Sequence, residues 1–159
     1  MMNNSKIKIV LYEPEIPQNT GNIVRLCACT GTELFLCGKL GFSLDEKHLK
    51  RAGLDYWDDV KITHLQTLDE LFKIYPNASK YYMTTKAKKS HFDADFKTND
   101  DVILLIFGPE TRGLPESLLF SDYDNCYRIP MKENQRSLNL SNSVAITLYE
   151  AIRTRNFSK

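Results

Sequence analysis

Apolar and polar positions along this chain alternate between two periods. Ile7 to Leu11 is apolar and rich in β-branched residues, the pattern of a strand. A loop holding Pro14 and Pro17 follows. A helix is then expected from about Asn22 to Thr30, with Asn19 or Thr20 to cap it and Gly31 at its end. Glu33 to Cys37 reads as a second strand, Asp45 to Ala52 as a short helix ended by Gly53, and Lys61 to Leu65 as a short strand. Thr67-Leu68-Asp69-Glu70 has the capping-box form and starts a helix that stops before Pro76. Tyr81 to Thr84 is the next strand. Val102 to Phe107 is a continuous apolar run followed by glycine, as a central parallel strand buried on both faces requires. A short helix from Glu116 to Phe120 and an edge or penultimate strand from Cys126 to Ile129 lead to a last helix, Leu140 to Arg155. There Val144, Leu148, Tyr149 and Ile152 are expected to form one apolar stripe.

Strands that alternate with helices predict the α/β class, a parallel sheet flanked by helices on both faces. Such sheets bind ligands beyond the C-terminal ends of their strands. The polar runs at 84–89, 108–113 and 130–137 each follow a predicted strand and should share one rim. With 159 residues, no linker and no internal repeat, residues 1–159 read as a single domain. No apolar run approaches the roughly 20 residues of a membrane span. Nor does the N-terminal stretch have a signal-peptide apolar region, so a cytoplasmic location is the expectation.

Charge and cysteine content change this picture little. The net charge of +1 does not announce a nucleic-acid binder, but phosphate contacts depend on local patches. Two clusters qualify: Lys47, His48, Lys50 and Arg51, then Lys86, Lys88 and Lys89. Each is equally readable as a solvated basic face. Cys27, Cys29, Cys37 and Cys126 have no zinc-like spacing and read as buried free thiols. The histidines are scattered without a ligand pair, so no metal is expected.

Candidate chemistry lies in three runs. Gly108-Pro109-Glu110-Thr111-Arg112-Gly113 begins like a phosphate-binding loop but continues Leu114-Pro115 where that loop needs Lys and Ser or Thr. Without the lysine a triphosphate is not held. The run is either a plain strand-to-helix turn or a place where backbone approaches a ligand closely, with Glu110 and Arg112 as opposite charges at the rim. Asn19, Asn22 and Arg25 are spaced by three and share a helix face, suited to phosphate and ribose oxygens or merely to capping beside a surface arginine. Arg136, Ser137, Asn139, Ser141 and Asn142 crowd the start of the last helix, more polar groups than capping uses.

With these runs, Ile9-Val10-Leu11-Tyr12-Glu13-Pro14-Glu15-Ile16-Pro17, Arg51-Ala52-Gly53-Leu54-Asp55-Tyr56 and Val144-x4-Tyr149-Glu150-Ala151 make nearly the whole chain resemble one family. It resembles the TrmL (YibK) tRNA ribose 2′-O-methyltransferases of the knotted SPOUT superfamily. The resemblance implies a SPOUT-type α/β-knot with a C-terminal trefoil knot, and a homodimer with a site near the subunit boundary. It also implies S-adenosylmethionine as methyl donor, with no metal. The acceptor would be the 2′-hydroxyl of the wobble nucleotide, cytidine or a modified uridine, in certain leucine tRNAs. Donor contacts fall by resemblance on Met83, Gly108, Ile129 and Ser137. By the same resemblance the catalytic position would be Arg25, supported by Asn19, Glu110, Ser137 and Asn139. A knotted methyltransferase acting on another tRNA position or on ribosomal RNA is the neighbouring reading. A non-catalytic RNA-binding module on the same fold is the more distant one.

Overall fold

The computed structural model describes residues 4–44, 56–97 and 101–157. The predicted helix at 45–52 with Gly53, and the cluster Lys47, His48, Lys50 and Arg51, lie outside them. Among the described residues seven strands form one sheet: β1 (Ile7–Tyr12), β2 (Glu33–Cys37), β3 (Ile62–Leu65), β4 (Ser79–Met83), β5 (Lys89–Ser90), β6 (Ile103–Phe107) and β7 (Cys126–Arg128). Their order is β3-β2-β1-β6-β4-β7-β5, and every pairing is parallel. Among the described residues the helices are α1 (Pro17–Thr30), α2 (Leu68–Ile74), α3 (Glu116–Ser121) and α4 (Leu140–Asn156), with short 3₁₀ turns between elements.

Two apolar cores, one on each face, follow from the strand period of two. Ile7, Ile9 and Leu11 of β1 and Ile103, Leu105 and Phe107 of β6 pack with Ile23, Val24 and Cys27 of α1 and with Val144, Leu148 and Ile152 of α4. The alternate residues Val10, Leu104 and Ile106 pack with Leu68 and Leu71 of α2 and Leu119 of α3. β6 is buried along its whole length, as its unbroken apolar run requires. Register also accommodates a charge: Lys8 stands opposite Glu33 and bonds it at 2.7 Å while donating to the Ser5 carbonyl.

Several expectations are corrected. α1 begins at Pro17, not Asn22, because proline in the first turn has the helical φ preset and lacks only a donor that is unpaired there anyway. Neither Asn19 nor Thr20 caps it; both lie inside the helix and are buried. Gly31 does close it, in left-handed conformation with φ 71°. Tyr149 is 49 % exposed and leaves the stripe of α4. It sits a full helical step from Leu148, and Thr147 and Ala151 are buried in its place. β7 is penultimate, covered by the two-residue β5, which is too short to show a period. Cys27, Cys37 and Cys126 are buried thiols, and Cys29 is exposed. Burial pushes Cys27 and Cys37 up to about 12 and Cys126 to about 11, so these three stay protonated and inert near neutral pH.

Leu148 is wholly buried between α4 and the sheet, whereas Phe120 is 76 % exposed. Leu148→Ala should lower stability by about 2–5 kcal/mol in urea unfolding, and Phe120→Ala should stay within about 0.5 kcal/mol. Equal losses would contradict this assignment of the core.

Candidate active site

Loops leaving β4, β6 and β7 enclose an open cavity of about 570 Å³, the size of a small-molecule site. Its lining includes the apolar side chains Met83, Phe107, Leu114, Ile129 and Leu140. Its polar lining comes from Thr84 to Lys86, residues 108–113, Arg136, Ser137, Asn139 and Ser143. Ile16 and Asn19 reach it from the start of α1. The three polar runs therefore share one rim, as expected of loops that each follow a strand of a parallel sheet.

The 108–113 loop is closed on itself. The Gly113 amide donates to the Pro109 carbonyl at 2.9 Å, and Gly113 has φ 70°. A Cβ on Gly108 would lie 2.4 Å from Gly113 C and Leu114 N. Gly108 is thus required by the approach of the chain's own backbone, a different reason from the close ligand contact expected of it.

Carboxylates then cross between this loop and the one after β1. Glu110 accepts from the Glu15 amide at 2.8 Å and the Ile16 amide at 2.7 Å. Glu15 accepts from the Thr111 amide at 2.9 Å and the Thr111 hydroxyl at 2.7 Å. Those Thr111 bonds hold the Glu15 carboxyl below its ordinary value. α1 has no side-chain cap and no acid in its first turn. Glu110, from a distant loop, supplies the anion that the helix N-terminus favours. Arg112 pairs with Glu13 at 3.2 Å rather than standing free as a rim charge.

Asn139 joins the third loop to this pair. Its Oδ1 caps α4, accepting from the Ser141 and Asn142 amides and the Ser141 hydroxyl. Its Nδ2 donates to Asn19 Oδ1 at 3.1 Å, and Asn19 Nδ2 donates to Glu110 Oε2 at 3.2 Å. The crowding of polar residues before α4 thus divides between a cap and an inter-loop bridge.

Asn19, Met83, Gly108, Glu110, Ile129, Ser137 and Asn139 all line this one cavity. Arg25 does not. It is exposed, with its guanidinium over the Tyr56 ring at 5.3 Å. The shared face proposed for Asn19, Asn22 and Arg25 divides because Asn19 occupies the first turn of α1. Arg25 lies about 9 Å further along the axis and about 120° around it. Asn22 is exposed as well. Glu15 and Thr111 are site residues that sequence reasoning missed. Two carboxylates flanked by prolines directly after a strand were the available signal.

Residues 6–149 match the SpoU rRNA Methylase family. The chain belongs to that family. This SpoU methylase chain is 48 % identical over 153 residues to a Saccharophagus degradans protein named tRNA (cytidine(34)-2′-O)-methyltransferase, covering 94 % of this chain and 96 % of that one. It is similar to a crystal structure from Bacillus anthracis, with TM-score 0.89, 48 % identity and 95 % of each chain covered. A solved structure described as giving insight into 2′-OH methylation of C/U34 on tRNA is similar at TM-score 0.83 and 39 % identity, covering 93 % of this chain and 95 % of that one. Among the described residues of the SpoU methylase chain, no group of three His, Cys, Asp or Glu can hold a metal, and no helix is long and apolar enough to cross a membrane.

The carboxylate exchange has two measurable consequences. Glu110→Ala leaves two backbone amides and Asn19 without their acceptor and should cost about 1–3 kcal/mol in thermal or urea unfolding. Glu15 titrates below its ordinary 4.5 in the folded chain, so its contribution is present above that value and disappears as pH falls through the depressed one. The protection factor at the Thr111 amide should hold above 4.5 and fall only further into acid. Protection that ignores pH there would rule out the Glu15 bond as its cause.

Proposed function

We propose that this chain, acting over residues 1–159 as one SPOUT domain, transfers a methyl group from S-adenosylmethionine to the ribose 2′-hydroxyl of the wobble nucleotide of tRNA. The observation that carries this reading is the single cavity in which the loops after β4, β6 and β7 meet the Asn19–Asn139–Glu110 network. The relatives' names support position 34 and cytidine or uridine there. Leucine isoacceptors are the finer part of the proposal.

The cavity suits the donor chemically. Met83, Phe107, Ile129 and Leu138 present apolar surface for an adenine ring, while Ser137 and the backbone around Gly108 and Ile129 offer hydrogen bonds to its polar edges. Bound there, S-adenosylmethionine supplies a methyl group on a positively charged sulfur, so no further activation of the leaving group is needed. What the chain must manage is a hydroxyl that is barely ionised at neutral pH. Glu110 already accepts three N–H donors across its two oxygens, which commits it to holding the loops after β1 and β6. We assign Asn19, Glu110 and Asn139 to positioning the loops. Arg25 lies off the cavity of its own chain and serves the acceptor, stabilising charge on the ribose oxygen and gripping phosphate. Its guanidinium holds a proton too tightly to be the base, so the hydroxyl proton leaves late, to solvent, as the methyl group passes from sulfur to oxygen and the rest of the donor departs as a neutral thioether.

The knot expected of this family, with α4 passing beneath a loop, and a homodimer with its site near the boundary complete the proposal. Ile16 and Leu138 at the cavity, and Ile146 and Tyr149 along α4, are large apolar side chains left exposed, which supports pairing of two copies. Light scattering should return a dimer at micromolar concentration.

The direct test is nucleoside mass spectrometry of tRNA incubated with protein and donor, reading 2′-O-methylation at position 34. Absence of methylation across a total tRNA pool would sink the proposal. Arg25→Ala should slow single-turnover methylation by roughly a hundredfold or more, with donor affinity and melting temperature unchanged. Near-normal turnover would return Arg25 to the surface.

A further inference from the structure

A second open basin of about 340 Å³ lies beside the first and shares Met131 with it. Lys88 precedes β5, Arg128 ends β7, and Lys132 belongs to the turn after β7, yet all three line this basin. The turn is tight: the Gln135 amide donates to the Lys132 carbonyl at 3.4 Å, and Asn134 takes φ 71°, which asparagine tolerates better than most residues. Among the described residues, three cations therefore face one opening against a single lining carboxylate, Glu133. None of the three side chains has a carboxylate partner among the described residues.

Their neighbours in sequence differ. Lys86 is paired with Glu116 at 2.8 Å, and Lys89 donates to the Asp124 carbonyl and lies over the Tyr127 ring. The run 86–89 is thus not one basic face. Its unpaired member, Lys88, joins Arg128 and Lys132 from other segments.

We infer that this basin holds a backbone phosphate of the acceptor RNA, next to the nucleotide whose ribose enters the larger cavity; the inference rests on the methyltransferase reading above. Unpaired lysines and a guanidinium fork suit a phosphate diester, and the amides of Asn134 and Gln135 suit the adjoining sugar. Among the described residues no aromatic ring lines the basin, which gives no platform for stacking a base. It holds backbone and fixes register without reading sequence.

The test measures tRNA binding by fluorescence anisotropy across a salt series, without turnover, on the full chain. Lys88→Glu with Lys132→Glu should weaken binding tenfold or more. The neutral pair Lys88→Gln and Lys132→Gln, which avoids introduced repulsion, should lower the log–log salt slope by about 0.7–0.9 for each phosphate no longer neutralised. S-adenosylmethionine affinity by calorimetry and the melting temperature should not move. Lys89→Gln should leave the salt slope at the wild-type value. A wild-type slope in the Lys88/Lys132 pair, an equal effect of Lys89→Gln, or no tRNA binding by the wild type overturns the inference. Methylation by the wild type is scored separately. Basin-dependent tRNA binding with no methylation would retire the methyltransferase reading and keep the basin, and methylation with basin-independent binding would do the reverse.

Discussion

Two carboxylates exchanged between the loops after β1 and β6 hold the candidate site together. Glu110 caps the backbone where α1 begins, and Glu15 grips Thr111 in return. The exchange is possible because β1 and β6 are parallel neighbours, with Leu11 opposite Phe107, so their loops leave the sheet side by side. That adjacency in turn depends on β6 being apolar on both faces, since only a central strand buries both. Burial of the sheet places the loops, and the crossed carboxylates fix their spacing.

The network explains a division of labour within the site. Asn19, Glu110 and Asn139 spend their polar atoms on one another and on helix starts, with Asn139 serving α4 and α1 at once. Groups committed in this way shape a cavity. Ser137 and Arg136 line the same cavity outside that network. Polar groups committed to the network and polar groups outside it thus sit on the same rim.

Charge is arranged by the same logic. Lysines adjacent in sequence diverge in space because residues 85–86 form a turn, Lys88 lies at a bend and β5 starts only at Lys89. Lys86 and Lys89 each find a partner, and Lys88 meets cations from β7 and the turn beyond it. A chain with net charge +1 can in this way carry a concentrated basic basin without a basic composition.

What the sequence by itself determined was the kind and order of elements and the rim they serve. The apolar run 103–107, the capping of α2 by Thr67 and the glycine end of α1 are local facts, set by burial period, by a side chain three residues from its donor, and by a left-handed φ. The family, too, was legible from residues spread along the chain. Only the tertiary structure decided which polar residues meet. Glu15 and Thr111 are 96 positions apart, and Asn19 and Asn139 are 120 apart, distances across which no periodicity speaks. It moved the start of α1 to Pro17, which set Arg25 off the cavity and turned Asn19 into a bridge. Propensity and period act over a few residues, whereas a site built from three loops depends on strand order in the sheet, and that order is settled by packing of the whole chain.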